Sequence, residues 1–240
     1  MSETQAINDL LKEIKDLANQ HYASAEVQYY LNTRFTAQRA RRWAIHQVHF
    51  VRHRRDCWAL AMGQAPLDVK RAIWLHEQDE LIGDPRAGGA DHFSLVSKEA
   101  RLFGLTEEEI ATAELHPFVV AAFDAWIHLG RKSWLESLAS TAVVEMVNSD
   151  AVISGGGHSS RIRQKLIAEL GIGRDRLENR NVHVAADQEH VLLFDEVAPG
   201  YLTTEHARAV ALGAVKKSLV IDRAFRAGMG FLMRQIPEPD

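Results

Sequence analysis

The 240-residue chain contains a single cysteine, Cys57. An internal disulfide is therefore excluded, and the usage fits a reducing, cytoplasmic setting. No apolar run approaches the roughly 18–20 residues that span a bilayer. The opening stretch, Met1 to Leu17, is charged and amphipathic and lacks the apolar core of a signal peptide. No membrane partner is expected. Positive charge is not in excess either: the net charge is −4 and the pI is near 6.3, which argues against nucleic acid as a partner. Alternating β-branched runs are scarce, which leaves little material for a sheet.

Helix is what remains. Apolar residues make up 46% of the chain and charged residues 25%, enough for a sizeable core without covalent staples. Periodicity predicts helices over roughly 4–19, 36–62, 67–83, 90–104, 106–130, 132–151, 159–171, 174–197 and 203–235. Thr106-Glu-Glu-Glu109 reads as a capping box. Gly83-Asp84-Pro85 and Gly88-Gly89 break the helical pattern, and Pro199-Gly200 is expected to end the helix before it. Ser154-Gly-Gly-Gly-His-Ser-Ser160 reads as a flexible connector rather than an anion loop, since no strand precedes it and it has no P-loop lysine. The expectation is one all-α domain over 1–240, with its N-terminal helix peripheral.

The chemistry concentrates in His183-Val-Ala-Ala-Asp187-Gln-Glu-His190. Residues at i, i+4 and i+7 share one helix stripe, so two imidazoles and a carboxylate face the same way. Mixed imidazole and carboxylate ligands suit Fe, Mn or Zn. Glu145 lies in an otherwise apolar stretch, where a carboxylate must be paired, protonated or metal-bound. Glu80 closes one predicted helix and His92 opens the next, with Glu77 as a reserve ligand one turn before Glu80. Taken alone, the run His76 to Glu80 has the composition of a solvated face. His46, His49 and His53, flanked by Arg52, Arg54 and Arg55, read as a basic outer face or as a carboxylate-binding wall. Tyr29, Tyr30 and Trp43 fit either pocket or core.

The order acid, His, acid, then His-x3-Asp-x2-His on helices of one all-α domain resembles the haem-oxygenase-like diiron oxidases. These share the fold of thiaminase II and pyrroloquinoline-quinone synthase. Members include the chlamydial protein associating with death domains, a 4-aminobenzoate synthase, and the 1-undecene-forming fatty-acid oxidase. Others are N-oxygenases and lyases that act on amino acids. The resemblance spans about 20–235 and implies Glu80, His92, Glu145, His183, Asp187 and His190 as metal ligands, with Glu145 and Asp187 the carboxylates central to catalysis. It implies two Fe, or Mn/Fe, with O2 as co-substrate, a small-molecule substrate, an external electron donor and a homodimer. This chain departs from the pattern between Glu80 and His92, where Asp84 to Asp91 lengthens the connection.

Competing readings are a thiaminase, a cofactorless oxidase, a 4-aminobenzoate synthase that consumes its own tyrosine, and a metal-free interaction protein. The first needs a nucleophilic cysteine, and only Cys57 is present. The third is associated with a lysine after the middle carboxylate, which the segment Ser154–Ser160 lacks.

Overall fold

A computed structural model describes residues 2–238. Among them the chain forms α1 (Glu3–Tyr22), α2 (Ala25–Leu31), α3 (Ala37–Gln64), α4 (Leu67–Leu81), α5 (His92–Leu102) and α6 (Glu107–Ala111). It continues through α7 (Pro117–Gly130), α8 (Trp134–Asn148), α9 (His158–Leu170), α10 (Glu178–His190), α11 (Leu192–Tyr201) and α12 (Glu205–Arg234). The described residues contain no strand, only an isolated bridge between Asp84 and Ala90. The all-α expectation holds. Among the described residues no helix is long and apolar enough to cross a membrane.

Local chemistry sets most helix starts. Ser2, Thr36, Asp91, Ser133 and Thr204 each accept a backbone N–H of the first turn, and Thr106 with Glu109 forms the reciprocal capping box. Three boundaries differ from the periodic pattern. The short α2 is an addition. The predicted helix over 106–130 is two helices, because α6 stops at Ala111 and α7 restarts at Pro117, whose missing N–H is harmless in a first turn. The predicted helix over 174–197 breaks at Val191, and Pro199 and Gly200 lie inside α11 instead of ending α10. A proline in a final turn removes only one helical hydrogen bond, so α11 tolerates it.

The central helix is α8, whose residues Ser137 to Val147 are all buried. It packs on α12 and α3. A helix buried all round needs small or apolar side chains, and Glu145 is the one charged residue in that buried run. α1 and α12 carry apolar residues at helical spacing into the same core, including Leu10, Ile14, Leu219 and Phe225. α4 is inverted: Leu75 is 65% and Leu81 51% exposed at its outer side, while His76, Glu77 and Glu80 are buried. The acidic run is therefore not a solvated face. Burying charge while exposing leucine is unfavourable unless the charges meet partners inside.

Candidate metal centre

The partners lie on four elements. α4 supplies His76 and Glu80, α5 supplies His92 at its first position, α8 supplies Glu145, and α10 supplies His183, Asp187 and His190. All six residues singled out from the sequence fall into one cluster, and His76 joins them. Three overlapping groups are present, each with potential ligand atoms within 4.8 Å of one another: Glu80 with His92 and His183, Glu145 with Asp187 and His190, and His76 with Glu80 and His190. All are buried except His183, which is partly exposed. The reserve ligand Glu77 belongs to none of the groups. It accepts from Arg55 Nη1 at 2.6 Å and lies 3.0 Å from His76 Nδ1.

Each side chain is oriented by a neighbour. His183 Nδ1 lies 2.9 Å from the Asn179 carbonyl, to which it donates, leaving Nε2 free. His92 Nε2 lies 2.9 Å from Asp84 Oδ2, and its Nδ1 is 3.0 Å from Glu80 Oε1 without the alignment of a hydrogen bond. Ser159 Oγ donates to Asp187 Oδ2 at 3.0 Å, and Trp58 Nε1 reaches Glu145 Oε1 at 3.4 Å. The imidazoles pack on one another, with 4.2 Å between the His76 and His190 ring centres and 4.4 Å between those of His92 and His183.

The electrostatics separate the groups. Burial alone would raise the Glu80 carboxyl, but Arg55, His92 and His190 outweigh it and hold it well below the usual range. Burial, then the nearby Glu145, push Asp187 well above its ordinary value. Desolvation, then His92, lower His183 to about 3, and desolvation with His76 keeps His190 well below 6.5. His92 goes the other way: desolvation opposes its charge, yet Glu80 and Asp84 raise it to about 9. Neutral His183 and His190 are ready ligands, whereas His92 must release a proton to become one.

Polar atoms without partners test whether a cation fits. His76 Nε2, His92 Nδ1, Asp187 Oδ1 and both ring nitrogens of His190 are buried with no hydrogen bond. Each such group costs about 1–3 kcal/mol, so five in one cluster are a heavy load for a merely structural network. Nitrogen and oxygen donors converging on shared points would be satisfied together by divalent cations. The donor set fits iron.

The remaining candidates are elsewhere. His46, His49 and His53 each place a ring nitrogen on a backbone carbonyl, those of Arg42, Ile110 and Phe123. Arg52 lines a separate surface pocket with His49 and Arg101. Arg55 serves Glu77 and Glu80, and Arg54 is buried beside the cluster. The glycine-rich connector is tied down: Asp150 accepts from Gly157 N and Ser160 Oγ, and Arg161 donates to the carbonyls of Ser154 and Gly156. Tyr30 is core, accepting from Trp43 Nε1 at 2.8 Å, while Tyr29 lies under Arg234. Burial raises the Cys57 thiol and seals it, which removes the thiaminase nucleophile.

His76, Asp84 and Ser159 are the participants that the motif reading omits. The i, i+4 spacing of His76 and Glu80 is the same signal that marks His183 and Asp187, and it was available. Asp84 and Ser159 lie in segments that read as breaks, and only the folded chain brings them to their partners.

A bundle of helices around buried histidines and carboxylates defines a helical protein with a candidate metal centre. Residues 41–220 match the model of the iron-containing redox enzyme family, and the chain belongs to that family. The fold is haem-oxygenase-like. A domain of unknown function with a heme oxygenase-like fold from Shewanella denitrificans superposes with a TM-score of 0.72 at 13% identity, covering 95% of this chain and 93% of that one. A CADD-like protein of unknown function from Nostoc punctiforme gives 0.74 at 13% identity, covering 95% and 98%. No curated protein matches by sequence.

Proposed function

We propose that this chain holds two iron ions and uses O2 to oxidise a small organic substrate, most simply a carboxylate such as an amino acid or fatty acid. The observation that carries this is the division of the cluster into two groups with no shared member, Glu80/His92/His183 and Glu145/Asp187/His190. The first is two histidines and one carboxylate, the set typical of non-haem iron oxygenases. Ferrous iron supplies the electrons for O2 chemistry that side chains alone do not.

The protein's own contribution is orientation and shielding. Arg55 offsets the charge of Glu77 and Glu80, and so limits mutual repulsion among the carboxylates before metal arrives. Ser159 and Asn179 fix Asp187 and His183. Burial keeps bulk water from the cluster. The partnerless nitrogens of His76 and His190 speak against the cofactorless reading, which gives no reason for them.

Anaerobic Fe(II) titration followed by O2 exposure, read by absorbance, tests the proposal. Two irons per chain and an O2-dependent spectral change, both lost in Glu145→Ala and His183→Ala, are expected. No iron uptake by a folded wild-type protein would overturn it, and one iron would refute the paired site.

A further inference from the structure

Four arginines are buried among the described residues: Arg39, Arg54, Arg180 and Arg226. Three bring a carboxylate with them. Arg39 meets Glu238 at 2.8 Å, Arg180 grips both oxygens of Glu99, and Arg226 donates to Asp222 at 2.6 Å. Arg54 is 3% exposed and no carboxylate pairs with it among the described residues. Its one hydrogen bond runs from Nη2 to the Thr141 carbonyl at 3.0 Å, and Nε and Nη1 have no partner. Phe50 and Trp126 lie 6.0 and 5.5 Å from its guanidinium carbon, a cation–π setting that supplies no counter-charge.

A buried guanidinium without an anion is costly, and the other three show how this fold meets that cost when the role is structural. Arg54 lines a cavity of about 40 Å³ together with Glu145, His183, Asn148 and Phe50. That volume suits a carboxylate head group rather than a whole substrate. Asn148 Oδ1 is also without a partner, and a half-turn of its amide presents NH2 to the cavity instead. Phe50 and Val51 give the wall beside Arg54 an apolar surface for an aliphatic segment. The cavity thus joins a vacant anion receptor to three residues of the metal cluster, Glu80, Glu145 and His183.

We propose that Arg54, assisted by Asn148, receives the carboxylate of the substrate and makes this protein select acids over their neutral analogues. The proposal rests on the iron-site reading for what happens at the other end of the molecule. Arg52, outside this cavity, and Arg55, already engaged by Glu77 and Glu80, take no part. Losing a charge-assisted fork to a carboxylate weakens binding by roughly 10- to 100-fold.

The test is calorimetric titration with hexanoate and 2-aminohexanoate against their primary amides, on protein as isolated and after anaerobic Fe(II) loading. One or both acids should bind at least about tenfold tighter than the matching amide, a preference abolished by Arg54→Gln and kept in Arg52→Gln. Binding should also shift the ¹⁵Nε resonance of Arg54 in the wild type, which decides the matter even if Arg54→Gln does not fold. Equal affinity for acid and amide, no binding of either acid at millimolar concentration, survival of the preference in Arg54→Gln, or an unmoved Arg54 resonance would each overturn the proposal. An acid preference in protein that takes up no iron would sink the iron reading alone. Iron uptake with no acid preference would sink this one alone.

Discussion

His92 and Asp84 meet at 2.9 Å across the segment that lengthens this chain between Glu80 and the next helix. The insertion does not move His92 away from Glu80. Asp84 N donates to the Ala90 carbonyl and Gly89 N to the Asp84 carbonyl, so the loop folds on itself and returns His92 to the cluster. Asp84 then fixes the imidazole from behind, as carboxylates commonly do for metal-binding histidines.

Replacing Asp84 by Asn should therefore lower iron affinity by roughly 10- to 100-fold while the protein stays folded. Competition with a coloured Fe(II) chelator measures this. An unchanged affinity would remove Asp84 from the site.

Gly83 begins the same loop, and a Cβ there would strike the Gly89 carbonyl. Gly83→Ala should cost roughly 1–3 kcal/mol of stability, since the backbone must shift to admit the methyl. Iron affinity should fall with it, because the displaced turn carries Asp84. Thermal melts and the chelator competition check both, and a variant with wild-type values in each would show the turn to be slack.

How much of this was legible beforehand follows from where each residue sits. Triplet and acid spacings on helices mark residues that share a stripe, so His183, Asp187 and His190 stood out, as did Glu145 by its apolar setting. Asp84 acts from a loop, where no period exists to read, and Ser159 from the first turn of α9, which directly follows the glycine-rich run. The inversion of α4 was hidden for a different reason. Composition alone makes His76 to Glu80 look solvated, and only the arrival of Arg55 and His92 from other helices gives those charges a reason to turn inward.

Mild acid should destabilise the fold through two buried imidazoles. Burial lowers both His46 and His53 to about 4, so the unfolded chain binds more protons than the native one between about pH 6.5 and 4. Stability thus falls as pH drops through that window. His53→Gln, which keeps a donor for the Phe123 carbonyl, should shallow the slope of Tm against pH. An identical slope would exclude His53 as a source.

Asp222 links α1 to α12 by accepting from His21 at 2.7 Å and Arg226 at 2.6 Å. Burial opposes its charge, yet Arg226 and His21 hold its carboxyl far below the ordinary value. Such a depressed carboxylate stabilises above about pH 4, its unfolded pKa, and the benefit disappears as pH falls through the folded value. Asp222→Asn should cost about 3–5 kcal/mol at pH 7, because it leaves Arg226 buried without its counter-charge. Denaturant titrations at pH 7 and in acid should show the gap narrowing, and a gap independent of pH would contradict the ionised pair.

Most helices here start on a side-chain cap, but α4, α9, α10 and α11 do not. Three of those four deliver residues to the metal cluster or hold them in place. Each missing cap forgoes about 1 kcal/mol of local anchoring, so the site is assembled from the segments least tied by their own ends. Metal ions bridging α4 and α10 would act as the absent fasteners. A measured iron affinity would then be a composite, coordination energy less the work of ordering these helices, and amide exchange in Glu178–Tyr201 should slow on loading.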